Sequence, residues 1–279
     1  MEPIKEMGYR LHLDESQIQA AGQAYADSPK QLAGQAAAAR RSGDVRVFQR
    51  AIRADAQSGG AQTLAGALLM AGLALEEYRQ IGIPEAVFDA TMSDIKIWAD
   101  RYRINTGLPG LGEIPWIVKH CRLELFRLGR LQFERAKVNF PPFRPIRYFS
   151  LPVRRGEACL GVHIPEGKKL DIEACKRDFS DAPAFFQAFF PGEAYSCLTC
   201  FSWLLSSVYG NILPPDSNIV RFRGLWEIVW DVRGDRQALE RIWDGGARSR
   251  RDTLLRQRAA EWLEQGNRLG MGFGLRMIK

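Results

Sequence analysis

The sequence predicts an α+β protein: an all-helical domain over residues 1–128, followed by a mixed α/β domain over residues 129–279. Three observations predict it. Apolar residues recur at helical spacing up to about residue 128, the period falls from 3.6 to 2 beyond Gly129, and strand-like and helix-like stretches then alternate. A length of 279 residues suits the division, because single cores stop growing beyond roughly 250–300 residues.

The elements follow in order. Residues 16–25 and 31–41 are rich in Ala and Gln, residues 64–78 are apolar and helix-favouring, and Pro84 suits the first turn of the next helix. In that helix Phe88, Met92, Ile95, Trp98 and Tyr102 form one stripe, closed by the turn residues Thr106, Gly107, Leu108, Pro109 and Gly110. Ile114, Ile117, Val118, Cys121, Leu125 and Leu128 predict a further helix that stops near Gly129. Leu131, Phe133 and Arg135 then alternate with Gln132, Glu134 and Ala136 as a strand, and turn-rich residues 139–145 separate it from a short strand over 148–152. A strand over 158–164 leads to a helix from Asp171, with another helix starting near Pro183. A strand over 195–200 precedes a helix containing Trp203–Leu205. Residues 225–232 alternate, with Trp226, Ile228, Trp230 and Val232 on one face and Glu227, Val229 and Asp231 on the other. A helix over 252–264 and a strand over 269–277 complete the chain, and no internal repeat is visible.

Composition narrows the function classes. With 46% hydrophobic and 25% charged residues the chain has the balance of a folded protein, which excludes disordered, collagen-like and disulfide-knot classes. The longest uncharged apolar run, residues 64–75, has twelve residues and ends at Glu76 and Glu77. A membrane span needs about 20, so the run reads as a buried helix segment and no membrane span is expected. The first residues, MEPIKEMGYRLHLDE, alternate in charge without an apolar signal-peptide core, so a cytoplasmic protein is expected. Cys121, Cys159, Cys175, Cys197 and Cys200 make an odd count in a chain large enough to build a core, which predicts reduced thiols. The charge of 39 − 32 = +7 admits a nucleic acid, an anionic surface or a polyanionic cofactor, and placement must decide.

The most informative segment is CLGVHIPEGKKLD, from Cys159 to Asp171. Leu160, Val162 and Ile164 should face a core, which puts Cys159, Gly161 and His163 on the other face. A strand face carrying Gly and His is open enough for a ligand to lie against it. At the turn that follows, backbone N–H groups and a helix start converge with Gly167, Lys168 and Lys169 as a candidate phosphate cradle, although the loop matches neither a Walker nor a dinucleotide fingerprint. Of the three histidines, His12, His120 and His163, the last is the best-placed base. Cys197 and Cys200 form a C-x-x-C with no second ligand pair nearby, so two core thiols are expected rather than a zinc or redox site. Residues 233–258 contain eight Arg against Asp235, Glu240, Asp244 and Asp252, a mixed-sign pattern that predicts a solvated helix face and no nucleic-acid surface.

Longer strings add what spacing cannot. WIVKHCRLELFRLGRLQFE from Trp116, VHIPEGKKL from Val162, CFSWLLSSVYGNIL from Cys200 and DSNIVRF from Asp216 occur in this order. In these strings the chain resembles a bacterial acyltransferase family that joins a helical N-acyltransferase N-terminal domain to a GNAT-like C-terminal domain. Phe201, just before SWLL, stands where many relatives carry His. The resemblance implies an acyl-CoA co-substrate, acetyl-CoA or longer, lying between two splayed central strands, here 158–164 and 195–200, with no metal. Its phosphates would fall at Gly167, Lys168 and Lys169, and a strand N–H near Val162 or Ile164 would polarise the thioester carbonyl. Catalysis would be direct attack by an amine, with His163, or Glu134 through water, as base, and Ser202 or Tyr195 protonating the departing thiolate. The implied partner is an amine-bearing small molecule or peptide. An acyl carrier protein is the alternative donor, and a non-catalytic acyl-CoA or nucleotide-binding module the alternative function.

Overall fold

The structure is a computed structural model that describes residues 2–140, 150–167, 169–243 and 250–278. The chain divides into two compact units, Met1–Leu128 together with Pro165–Gly167, and Gly129–Ile164 together with Lys168–Lys279.

The first unit is a helical bundle around one central helix. Its elements are α1 (Glu2–Arg10), α2 (Glu15–Asp27), α3 (Pro29–Ser42), α4 (Arg46–Ala54), α5 (Ala56–Ile81), α6 (Glu85–Thr106) and α7 (Ile114–Cys121), ending in the short strand β1 (Leu125–Leu128). The 26-residue α5 is long and apolar enough to cross a membrane by length and composition, yet 72% of its most apolar window is buried inside the protein. The six other helices of the unit, α1, α2, α3, α4, α6 and α7, all pack on α5. Phe88, Met92 and Ile95 of the α6 stripe are fully buried, as is Ala99, while Trp98 is only half-buried.

The last helix of this unit is shorter than its apolar stripe predicts. It ends at Cys121 because Leu123 turns into the left-handed region at φ 57°. Glu124 N–H then donates to the Lys119 carbonyl at 3.0 Å and Leu123 N–H to the His120 carbonyl at 3.2 Å, the paired bonds of a Schellman stop. Leu at that position hides the stop from sequence reading, since glycine is its usual occupant. Burial of the Leu123 side chain holds the strained conformation, which costs about 1–2 kcal/mol for an L-residue. Beside this turn a buried polar cluster ties α6 to α7. Asp94 Oδ2 accepts from Trp116 Nε1 at 3.0 Å and lies 3.3 Å from His120 Nε2, and His120 Nδ1 is 3.0 Å from the Trp116 carbonyl.

The second unit contains β2 (Leu131–Lys137), β3 (Ala158–His163), α8 (Ile172–Phe189), β4 (Cys197–Ser202), a 3-10 turn (Trp203–Leu205), α9 (Val208–Ile212), α10 (Asn218–Arg223), β5 (Glu227–Val232), α11 (Arg236–Ile242), α12 (Leu254–Glu264) and β6 (Met271–Met277). Its strand order is β2-β3-β4-β6-β5. Only β3 and β4 are parallel; the other neighbouring pairs are antiparallel.

Several local expectations change here. Ser150, Leu151 and Pro152 lie in a turn and bend rather than a strand, and residues 141–149 of the predicted turn and strand are outside the described residues. Pro183 does not start a helix but lies inside α8, where burial of Phe179, Ala182 and Phe186 offsets the missing N–H. The segment Trp203–Leu205 makes only a 3-10 turn. In β5 a bulge between Ile228 and Trp230 breaks the alternation, so Val229 and Trp230 are both buried.

Apolar cores flank the sheet and its helices among the described residues. One joins Val138, Phe140, Val153, Cys159, Cys197, Val229, Trp230, Phe273 and Leu275. Another gathers Tyr209, Ala238, Ile242, Trp243, Ala259 and Leu269 around α9, α11 and α12.

Candidate active site

The site begins with strand register. Parallel pairing of β3 with β4 covers only Cys159 with Cys197, Leu160 with Leu198 and Gly161 with Thr199. Yet β3 continues to His163 and β4 to Ser202, so the two strands run on unpaired and the sheet opens between them. Such an opening exposes backbone N–H and C=O groups to whatever enters it.

On the other side β3 pairs with β2 along its whole length, with Glu134 opposite Gly161 and Gln132 opposite His163. Alternation therefore places Glu134, Gly161 and His163 on one face. His163 Nε2 lies 2.8 Å from Glu134 Oε2, with the imidazole 35% and the carboxylate 18% exposed. Both side chains are thus reachable from solvent at the edge of the opening. Gly161 keeps the space between them clear, since a Cβ there would already touch Glu134 Cβ at 3.5 Å and His163 Nε2 at 3.7 Å.

The remaining predicted residues are placed less centrally. Val162 is buried on the opposite face of β3, and Ile164 follows the end of the strand; what they contribute is backbone. Tyr195 lies before β4, half-buried, and its hydroxyl donates to Glu193, which Arg135 also engages at 2.9 Å while stacking 4.2 Å above the Phe190 ring. Burial and the Glu193 carboxylate push the Tyr195 phenol above its ordinary range. Ser202 is buried on the face of β4 opposite Phe201, and its Oγ accepts from Leu204 N–H at 3.2 Å to cap the 3-10 turn.

The loop after β3 is divided. Pro165–Gly167 belong to the first unit, where Glu166 pairs with Arg101 at 2.5 Å, and Gly167 adopts φ 101°, a conformation that favours glycine. Lys168 lies outside the described residues, and Lys169 is exposed, its carbonyl accepting from Arg130 Nε at 3.1 Å. The helix start beyond is not left open for an anion: Asp171 caps α8 by accepting from Ala174 N–H at 3.0 Å.

All five cysteines are free and buried. Cys197 and Cys200 project from opposite faces of β4, so they cannot chelate one ion or bond each other. Burial pushes the Cys121 thiol up to about 12 and Cys175 up to about 11. Cys159, opposite Cys197, has its Sγ 3.5 Å from Thr199 Oγ1. On the arginine-rich segment Arg236, Arg250, Arg251, Arg256 and Arg258 are each paired with Glu240, Asp252, Glu264, Asp252 and Glu261 respectively.

Sequence reasoning found Glu134 and His163 but missed the aromatic row on their face, of which Phe201 is exposed and Phe273 and Trp230 are buried. Phe201 pairs with Phe273, and Phe273 with Trp230, across β4, β6 and β5. Trp230 and Phe273 stack at 4.1 Å with an interplanar angle of 5°. The signal was Trp230 in an alternating run with Ile228 and Val232, which shows its partner only once the register is known.

A mixed sheet that opens between its two parallel strands beside a His–Glu pair defines an acyltransferase of the GNAT-like class. Residues 125–276 match the family described as GNAT-like C-terminal domain, and residues 3–123 match the N-acyltransferase N-terminal domain. The first match covers more than half of the chain, and the chain belongs to this two-domain acyltransferase family. Its fold is similar to that of an acyltransferase solved in complex with decanoyl-CoA and teicoplanin, at 22% identity and a TM-score of 0.81 over 100% of this chain and 88% of that one. An acyltransferase mutant in complex with octanoyl-CoA gives 21% and 0.81 over the same shares. A complex with CoA and 10C-teicoplanin gives 21% and 0.80 over 98% of this chain and 87% of that one. No curated protein matches the chain.

Proposed function

We propose that this acyltransferase moves an acyl group from acyl-CoA to an amine by direct attack of the amine on the thioester. The observation that carries the reading is the parting of β3 and β4 beyond Gly161 and Thr199, with Glu134 and His163 at its edge. A pantetheine arm entering the opening can pair with the strand backbone near Val162 and Ile164, and an N–H there stabilises the oxyanion.

The chemistry balances with one imidazole. With Nε2–H directed at the Glu134 carboxylate, the neutral His163 ring carries its lone pair at Nδ1. As the amine adds to the carbonyl carbon, His163 takes the N–H proton and Glu134 stabilises the imidazolium. The C–S bond then breaks and the proton returns to the thiolate, giving an amide and free CoA thiol. Ser202 and Tyr195, committed to Leu204 and Glu193, are less suited to protonate the thiolate. Lys168, Lys169 and Gly167 supply cationic and backbone groups for the phosphates; with the helix start capped by Asp171, the loop carries this role alone.

The similar structures hold a glycopeptide, which makes glycopeptide amines the first acceptors to assay, before other amine-bearing small molecules or peptides. A carrier-protein donor would need the arginine face as its dock, and there the cations named above are already paired. Five buried free thiols support a reducing cytoplasmic setting.

The test is thiol release from acyl-CoA in the presence and absence of amine, alongside calorimetric binding of acyl-CoA. Amine-dependent release is expected. Binding without release for any amine would make the protein a binding module, and absence of binding would overturn the reading altogether.

A further inference from the structure

The sulphur that leaves the thioester gains an electron pair, and Ser202 and Tyr195 are committed elsewhere. One hydroxyl on the reactive face is not. Thr199 is the β4 member of the last paired position, opposite Gly161, so its side chain stands at the fork where β3 and β4 part. Aligned residues of neighbouring strands share a face, which puts Thr199 with Glu134, Gly161 and His163. Gly161 has no side chain to fill the fork, and a Cβ there would lie 3.7 Å from His163 Nε2. Thr199 and the His163 ring therefore stand on either side of one gap, about 4.8 Å from strand to strand.

The surroundings of the Thr199 hydroxyl leave it under-used. The residue is 8% exposed, so water does little to complete its hydrogen bonding. Among the described residues its side-chain partner is the Cys159 thiol, with Oγ1 and Sγ 3.5 Å apart. A hydroxyl offers one donor and two acceptor sites, and a thiol is weak in both roles. Cys159 pairs with Cys197 two residues before the fork, so this contact occupies the closed side of Thr199 and the side toward the opening is left to a ligand. A hydroxyl held only by a thiol turns to a stronger acceptor at small cost, and a sulphur taking on negative charge is such an acceptor.

We propose that Thr199 is a catalytic residue whose hydroxyl donates a hydrogen bond to the thioester sulphur as it leaves. The inference rests on the acyl-CoA reading of the opening and deepens it by assigning the group that receives the leaving sulphur. The amine nitrogen forms its bond to the carbonyl carbon and gives a proton to His163. The C–S bond then breaks and its electron pair goes to sulphur. Thr199 keeps its proton throughout and only shares it with the thiolate, while the imidazolium of His163 supplies the proton that completes the CoA thiol. The interaction strengthens with charge on sulphur, so it lowers the barrier more than it tightens binding of the donor.

The experiment uses Thr199→Val, which keeps the branched shape without the hydroxyl, Thr199→Ser, which keeps the hydroxyl, and Thr199→Ala, which lacks both hydroxyl and methyl. Tm is measured for each. With saturating amine, kcat is expected to fall about tenfold in Val and Ala, the lower end for a hydrogen bond to a charged group, and to stay within about threefold of wild type in Ser. KM for acyl-CoA should change less than about twofold. A second readout is calorimetric binding of CoA and of desulpho-CoA, which lacks the sulphur. Wild type should bind CoA about threefold more tightly than desulpho-CoA, and Thr199→Val should bind the two alike, with its affinity for desulpho-CoA unchanged. Wild-type kcat in Val and Ala, an equal loss in Ser, or a preference for CoA over desulpho-CoA that is missing from the wild type or survives in Val, overturns the role of Thr199 and leaves the acyl-CoA reading standing. Absence of binding and turnover with every acyl-CoA in the wild type overturns that reading, and the role of Thr199 with it.

Discussion

Replacing Glu134 by Gln tests whether the carboxylate works through His163. The substitution keeps the shape of the side chain and an oxygen that can accept from His163 Nε2, so the 2.8 Å contact can re-form without its charge. What is lost is support for the imidazolium that exists only while the proton is in transit. A hydrogen bond to a charged group contributes about 1.5–3 kcal/mol, which converts to roughly 10- to 150-fold in rate. Partial exposure of both groups, 35% and 18%, places the expectation toward the lower end, about 10- to 30-fold. The loss belongs in kcat, with KM for acyl-CoA unchanged, because the interaction strengthens in the transition state and not in binding. His163→Ala removes the base itself and should cost about 10²–10⁴-fold. The assay is thiol release at saturating acyl-CoA and amine, for both single variants and the double variant. Since Glu134 acts through the ring, the double variant should be no slower than His163→Ala. Wild-type turnover in His163→Ala, or two losses that multiply in the double variant, would refute the assignment.

Three further outcomes follow from the structure. Gly129→Ala forces a Cβ onto a residue at φ 75° and into Asp178 Oδ1, whose carboxylate holds Arg130 N–H at 2.7 Å and Leu131 N–H at 2.9 Å; strain plus one lost bond predicts about 3 kcal/mol less stability by urea denaturation. Asp94→Ala leaves the buried donors of Trp116 and His120 without their carboxylate and should cost about 3 kcal/mol, whereas Asp94→Asn, which retains one acceptor oxygen, should cost less. At acid pH Asp14 matters: burial raises its carboxyl, but bonds from Ser16, Gln17 N–H and Arg103 outweigh burial and hold it below the ordinary range. A folded value below the unfolded one gives stability that is present above about pH 4 and lost as pH falls further, so Asp14→Asn should flatten the decline of Tm with pH in that window.

How much of this was legible in the residues depended on whether the signal was local. Helical stripes and strand alternation are properties of a segment with itself, so α6, β2 and β3 could be read directly, as could the membership of Glu134 and His163 on outward-facing strand positions. Stops made by unusual residues could not: Leu123 occupies a position that glycine normally marks, and the stripe running through Leu125 and Leu128 therefore read as more helix. Register was equally hidden. Alternation places Glu134 on a face but leaves open whether it meets Gly161, Cys159 or His163, and only antiparallel pairing with Gln132 opposite His163 brings Glu134 diagonally to Nε2. The same holds for Phe201. Read alone it was a departure from the histidine of many relatives; aligned through Phe273 with Trp230 it becomes the exposed end of an aromatic row that starts at the rim facing His163. A site made by two strands parting is a property of pairs of segments, so the sequence can supply its side chains while the geometry that makes them act together comes only from how the strands align and where that alignment stops.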